Sequence, residues 1–111
     1  MDIEFKTKRL AADCNQDQRA QRRWGAGNAR RLRRRLDDLR AAANLADFRK
    51  VHPRCHELKG DRQGQLAIDL VHPFRLIVEP ADDPPPTRAD GGLDWTKVEF
   101  LRIVEVEDYH G

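Results

Sequence analysis

Hydrophobic positions along the chain change period near its middle. In the first half they recur at helical spacing, and in the second half they alternate. Asp2 to Lys6 predicts a short strand, with Ile3 and Phe5 on one face and Glu4 and Lys6 on the other. Lys8 to Arg23 is highly polar and reads as a first helix. Gly25-Ala26-Gly27-Asn28 is a break signal, and Asn28 is a candidate N-cap for a second helix over Ala29–Ala43. There Leu32, Leu36, Leu39 and Ala43 form one apolar stripe, while Arg31, Arg33, Arg34, Arg35 and Arg40 cover the remaining surface. After Pro53 the spacing falls to two. Cys55–Lys59 is a short strand candidate, followed by the turn Gly60-Asp61-Arg62-Gln63-Gly64. Leu66, Ile68 and Leu70 alternate with Ala67 and Asp69. Beyond the His72-Pro73 turn, Phe74, Leu76 and Val78 alternate with Arg75, Ile77 and Glu79. Pro80 to Asp94 has no period and holds three consecutive prolines and a Gly-Gly, which marks an exposed loop (80–95) before a last strand over Lys97–Glu107. The expected order is β-α-α-β-β-β-β: an α+β domain over residues 1–111, its largely antiparallel sheet packed against two N-terminal helices.

Composition narrows this picture. The chain has 111 residues, 36% of them charged and 39% hydrophobic, with a mean hydropathy of −0.83. Its core must therefore be thin, and it is the periodic runs that argue for folding. Length and the missing Gly-rich turn exclude a large multidomain enzyme and a dinucleotide-binding fold. No apolar stretch approaches the roughly 20 residues that span a bilayer, and MDIEFKTKRL has no signal-like apolar region. Two cysteines, Cys14 and Cys55, are too few for a disulfide framework, so the expectation is a cytoplasmic protein without a membrane partner. The net charge of +2 conceals a division. Residues 1–50 hold 14 Lys and Arg against 7 Asp and Glu, a net of +7; residues 51–111 hold 7 against 12, a net of −5. The basic half suits polyanions or acidic partners.

Polar groups at strand ends are the candidates for chemistry: His56, Lys59, Arg75 and the terminal Asp108-Tyr109-His110. Neighbouring strands can gather such residues on one face. His, Tyr, Asp, Lys and Arg together have the parts for cutting a phosphodiester. That reaction needs a base for the ribose 2′-OH, an acid for the leaving 5′-oxygen, and cations for the phosphorane charge. Histidine titrates in the right range for the first two roles, and Lys and Arg serve the third. Cys55, His56, His52 and His72 lack a recognisable metal-ligand spacing. His52 and His72 flank prolines and read as solvated surface groups, while Trp24 and Trp95 read as core packing or loop anchors.

At these residues the sequence resembles a known family. Cys55-His56-Glu57-Leu58-Lys59-Gly60-Asp61-Arg62-Gln63-Gly64-Gln65-Leu66-Ala67-Ile68 is similar to the central motif of the HigB branch of RelE/ParE toxins. Phe74-Arg75-Leu76-Ile77-Val78 looks like the family's W/Y-R-I-x-F strand, and Val104-Glu105-Val106-Glu107-Asp108-Tyr109-His110 like its V-x-I-x-D-Y-H ending. Leu39–Asp47 fits more loosely. The resemblance covers about residues 29–79 and 97–110, in the family's order. It implies a bacterial, plasmid-maintenance-type toxin that enters the ribosome and cuts mRNA without metal or organic cofactor. Its partners would be the ribosome, mRNA and a HigA-like helix-turn-helix antitoxin, with the free toxin a monomer. The family's catalytic residues match His56, Asp108, Tyr109 and His110; its phosphate-binding residues match Lys59, Arg75 and, more weakly, Arg62. In this reading Arg31, Arg34 and Arg35 are the candidates for contact with ribosomal RNA. The chain departs from the pattern over residues 7–27, in the length of the Pro80–Asp94 loop, and at Leu66, which replaces a common aromatic at a position that looks buried.

Two other readings compete. ParE-like relatives inhibit DNA gyrase without cutting RNA, a function that does not need the His56 and Asp108-Tyr109-His110 set. A non-catalytic nucleic-acid-binding module would depend on the arginines of the second helix and be indifferent to the histidines. Arg75, on the polar alternation of its strand, also has a purely structural reading as the partner of a carboxylate such as Asp69 or Glu99.

Overall fold

The computed structural model describes residues 1–109; His110, named above as a candidate catalytic residue, and Gly111 lie outside the described residues. The five expected strands form one sheet: β1 (Asp2–Phe5), β2 (His56–Glu57), β3 (Leu66–Asp69), β4 (Phe74–Pro80) and β5 (Phe100–Asp108). They lie in the order β1-β5-β4-β3-β2. The sheet is not antiparallel throughout, because β1 pairs with β5 in parallel, Ile3 beside Leu101 and Phe5 beside Ile103. The helices carry the chain from one edge strand, β1, to the other, β2, so the last strand enters between β1 and β4.

Four helices replace the expected two: α1 (Lys8–Asn15), α2 (Asp17–Trp24), α3 (Ala26–Ala41) and α4 (Leu45–Val51). The polar helix expected over 8–23 breaks at Gln16, whose backbone is extended. Asp13 gives the reason. It is buried, and its carboxylate is bonded by Arg19 Nε at 2.9 Å and by an Arg23 terminal nitrogen at 2.7 Å. Residues six apart on a straight helix are displaced by about 9 Å and point away from one another, so the chain must turn back for Arg19 to reach. Burial alone would raise the Asp13 pKa; the two arginines outweigh it and hold the carboxyl below its ordinary value.

Asn28 is not an N-cap. α3 begins three residues earlier, after Gly25 at φ +88°, a backbone conformation that favours glycine. Asn28 is buried in the first turn of α3, where its Nδ2 donates to the Trp24 carbonyl and its Oδ1 accepts from the Val71 amide at 2.8 Å. At the other end α3 stops at Ala41 and leaves Ala43 exposed. Asn44 then caps α4 by accepting from the Asp47 amide at 2.9 Å, so that Leu45 and Phe48 enter the core.

One face of the sheet meets the helices. Leu66, Ile68, Leu76, Val78, Leu101 and Ile103 pack there with Leu32, Leu36, Leu39, Leu45 and Phe48, and Trp24 and Trp95 close the margins as expected. Leu66 is fully buried. His52 departs from its surface reading: it is mostly buried, stacked on Phe48 and bonded to Asp38 at 2.7 Å. The last strand starts three residues later than expected because Trp95–Lys97 forms a 3₁₀ turn, and Trp95 Nε1 donates to Glu57.

The opposite face carries no helix. A register shift at Ile77/Val78 places Val104 with Ala67 and Ile77 in a small apolar patch, against which Leu58 packs from the β2–β3 connection. Polar side chains of the alternate strand positions surround that patch.

Candidate nucleic-acid interface

The helix-free face holds the polar alternation of all five strands. Cross-strand register sets Arg75 of β4 opposite Glu107 of β5, and Asp69 of β3 opposite Arg75 on its other side. Arg75 Nε donates to Glu107 at 2.6 Å, while Asp69 is drawn away to Arg54. Arg75 is therefore partnered by Glu107 rather than by Asp69 or Glu99. From the connection Arg62 reaches over β4 to β5, contacting Glu105 at 3.1 Å and Glu107 at 2.9 Å, and it donates to Gln65 at 2.9 Å. Burial alone would lower the Arg62 pKa; its bonds to Glu105 and Glu107 raise it instead. Glu107 shows the mirror effect: burial would raise its pKa, and bonds from Arg75 and Arg62 keep it below the usual carboxylate value. Gln65 continues the chain to Glu79, and Arg102 bridges Glu79 and Glu4 at 2.7 and 3.1 Å.

Tyr109 stands at the β5 end of this face, half exposed, with the Arg75 guanidinium 4.5 Å from its ring centroid. Its amide donates to the Pro73 carbonyl, and its ring lies edge-on to His72. Asp108, exposed beside it, pairs in register with Phe74. The 70–73 turn thus joins Tyr109 to α3. On the other side of that turn Val71 is bound to Asn28, Arg31 donates to the Leu70 carbonyl, and Arg35 donates to the Asp69 carbonyl at 3.0 Å.

Along α3, Arg30, Arg31, Arg33, Arg34 and Arg35 line an open groove with Gly27 and Val71. Arg33 is paired with Asp17, but among the described residues no carboxylate makes an ion pair with Arg30, Arg31 or Arg34. Burial, and then Arg31 close by, lowers the Arg35 pKa. This concentration of cations faces solvent.

His56 and Lys59 occupy the opposite margin. His56 is exposed on β2, its Nδ1 bonded to the Arg54 carbonyl at 2.9 Å, and Lys59 is exposed just after it. His56 pairs with Ala67, which pairs with Ile77, which pairs with Glu105. Three strand spacings, about 14 Å, therefore separate His56 from β5. The structure brings Arg62, Arg75 and Tyr109 together, and sets Arg31, Arg34 and Arg35 beyond the adjoining turn. It does not bring His56 or Lys59 into contact with Tyr109. An extended polymer lying across the face could touch both margins; one small anion could not.

No protein-family model matches the chain, and no curated protein matches it. Among the described residues, no three His, Cys, Asp or Glu side chains come together in a way that could hold a metal ion, and no helix is long and apolar enough to cross a membrane. Sequence reasoning missed Glu105, Glu107 and Gln65 as members of the site, although Glu107 falls on the same polar alternation as Arg75. It also missed the role of Val71 and His72 in joining the sheet to α3.

Proposed function

We propose that this protein is a HigB-type toxin of the RelE/ParE kind, a ribosome-dependent endoribonuclease acting in the bacterial cytoplasm under control of a helix-turn-helix antitoxin. One observation carries the reading. The three segments with family-like motifs lie on adjacent strands or their connection, and His56, Arg75, Glu105 and Glu107 share the sheet face without helices, whereas Asp108, paired with Phe74, alternates to the other face. Beside them is a groove in which, among the described residues, Arg30, Arg31 and Arg34 have no carboxylate partner. In the mechanism, the ribose 2′-oxygen attacks the adjacent phosphorus and the 5′-oxygen leaves, giving a 2′,3′-cyclic phosphate and a 5′-hydroxyl. By the resemblance His56 and His110 are the candidate base and acid. His56 lies about 14 Å from β5, so it serves the phosphate held at Arg75 only when bound RNA draws the β2 edge toward that end of the face. Tyr109 orients the reacting groups and Arg75 stabilises the phosphorane charge. Lys59, at the far margin, holds the RNA strand at a point away from the scissile phosphate, and Asp108, paired with Phe74, steadies the end of β5 rather than entering this face. Of the three arginines expected to meet ribosomal RNA, Arg31 and Arg34 hold its phosphates together with Arg30, while Arg35 is engaged by the Asp69 carbonyl. Mapping the ends of mRNA cut on purified ribosomes tests the chemistry: 5′-hydroxyl and 2′,3′-cyclic ends are expected, and 3′-hydroxyl ends would refute it.

A second reading is favoured by one feature. Among the described residues the cations without a carboxylate partner on α3 are Arg30, Arg31 and Arg34, whereas the sheet arginines are neutralised by carboxylates. A non-catalytic nucleic-acid-binding module would use α3 alone. Alanine at Arg31 and Arg34 would then abolish every activity, and alanine at His56 or Tyr109 would change none.

A further inference from the structure

The arginines of the helix-free face are already occupied. Both Glu107 oxygens are engaged, Oε2 by Arg75 at 2.6 Å and Oε1 by Arg62 at 2.9 and 3.3 Å, and Glu105 takes a further Arg62 contact at 3.1 Å. These side chains are partly shielded, Arg75 and Glu107 each 20% exposed and Arg62 26%, so the pairs are screened less than surface pairs. The linked set counts Arg62, Arg75 and Arg102 against Glu4, Glu79, Glu105 and Glu107, one more carboxylate than cation. A phosphodiester approaching this face meets a negative surplus and must displace a carboxylate from the guanidinium it needs. The planar fork of arginine accepts carboxylate and phosphate in the same geometry, so the two compete directly.

We propose that Glu107 is an internal competitor for the phosphate site, a positioning residue that holds Arg62 and Arg75 closed until RNA is presented by another surface. The inference rests on reading this face as the RNA site. Its consequence is selectivity. Free RNA must overcome Glu107 unaided, whereas RNA presented when α3 docks on a larger polyanion arrives at high effective concentration. Arg30, Arg31 and Arg34 across the 70–73 turn, which pair with no carboxylate among the described residues, are placed to make that first contact. Glu107 thus sets a threshold between free and presented strands without touching the reacting atoms.

The test uses the full chain and a short 2′-O-methyl RNA oligonucleotide, which binds but cannot be cut, with affinity read by fluorescence anisotropy over a salt series. Glu107→Gln is expected to bind about tenfold more tightly than the wild type, with a salt slope steeper by about one for each arginine released. Glu105→Gln, which releases only part of Arg62, gives a smaller gain. Glu99→Gln removes the same charge from an exposed position before β5 and controls for net charge. The melting temperature of Glu107→Gln should fall while its affinity rises, a combination that a purely structural carboxylate does not produce. If Arg75→Ala weakens binding but Glu107→Gln and Glu105→Gln bind no better than Glu99→Gln, the competitor role is overturned and the RNA face stands. If Arg75→Ala added to Glu107→Gln leaves the affinity of Glu107→Gln unchanged, the face is not the RNA site and both fall.

Discussion

Asn28→Ala is the sharpest single probe of how the two basic regions are held together. The Asn28 side chain is buried and has two partners, the Trp24 carbonyl at 3.2 Å and the Val71 amide at 2.8 Å. Alanine is a better helix former than asparagine, so a gain of a few tenths of a kcal/mol would be expected if helix propensity decided. The loss is larger. Removing the acceptor strands the Val71 N–H, and removing the donor strands a carbonyl at the end of α2; an unsatisfied partly buried group costs about 1–3 kcal/mol. The net destabilisation should be about 1–2 kcal/mol, which for a chain of this size lowers Tm by about 4 °C per kcal/mol. Urea denaturation reads the energy, and hydrogen exchange at Val71 locates it. Asn28→Asp retains an acceptor for Val71, so it should keep that amide protected while losing the Trp24 contact. An Asn28→Ala protein as stable as the wild type, with Val71 still protected, would show that the turn is held to α3 by packing alone and refute this reasoning.

Acid should unfold the protein in a defined window. The Asp13 and Glu107 carboxyls sit below their ordinary values of 3.8 and 4.5. Their contribution is thus complete above those values and lost as pH falls through the lower folded-state values. Thermal melts from pH 7 to pH 3 should show a steep fall at the acid end, made shallower by Asp13→Asn; an unchanged acid limb in that variant would contradict the assignment. Cys14 and Cys55 are buried and their thiol pKa values are pushed up to about 12, chiefly by burial. Both should resist a thiol reagent at pH 8 in the folded protein and react promptly in urea, and rapid labelling of the native chain would show that the core opens.

The strands were legible because period-two alternation survives wherever one face is buried, as at Leu66-Ile68 and Leu76-Val78. Helix termini were less legible. The break at Gln16 depends on Asp13 meeting Arg19 and Arg23, a tertiary contact with no local signature in so polar a stretch. Asn28 looked like a cap because asparagine after glycine usually is one, yet its partner, Val71, is 43 residues away. The start of α4 was readable and overlooked: Asn44 before Leu45, with Asp47 three residues on, is a capping pattern. The parallel placement of β1 beside β5 depends on the helices carrying the chain from one edge of the sheet to the other, a non-local path that leaves no mark in the alternation of either strand. At the candidate site the basic residues were visible, but their partners were not, because Arg62 meets Glu105 and Glu107 only after the β2–β3 connection folds over the sheet. That burial of charge by charge decides what the site can do.

The helix-free face is proposed to cut RNA when the protein is on the ribosome. The most direct measurement is cleavage of a defined mRNA on purified ribosomes by the wild type, Tyr109→Phe, His56→Ala and the Arg31→Ala/Arg34→Ala pair. The account predicts cleavage that requires the ribosome, falls by about 10²–10⁴ when a group taking part in proton transfer is removed, and weakens with rising salt when the α3 arginines are lost. Folded, antitoxin-free wild type that leaves the mRNA intact, or full cleavage by both Tyr109→Phe and His56→Ala, would contradict it.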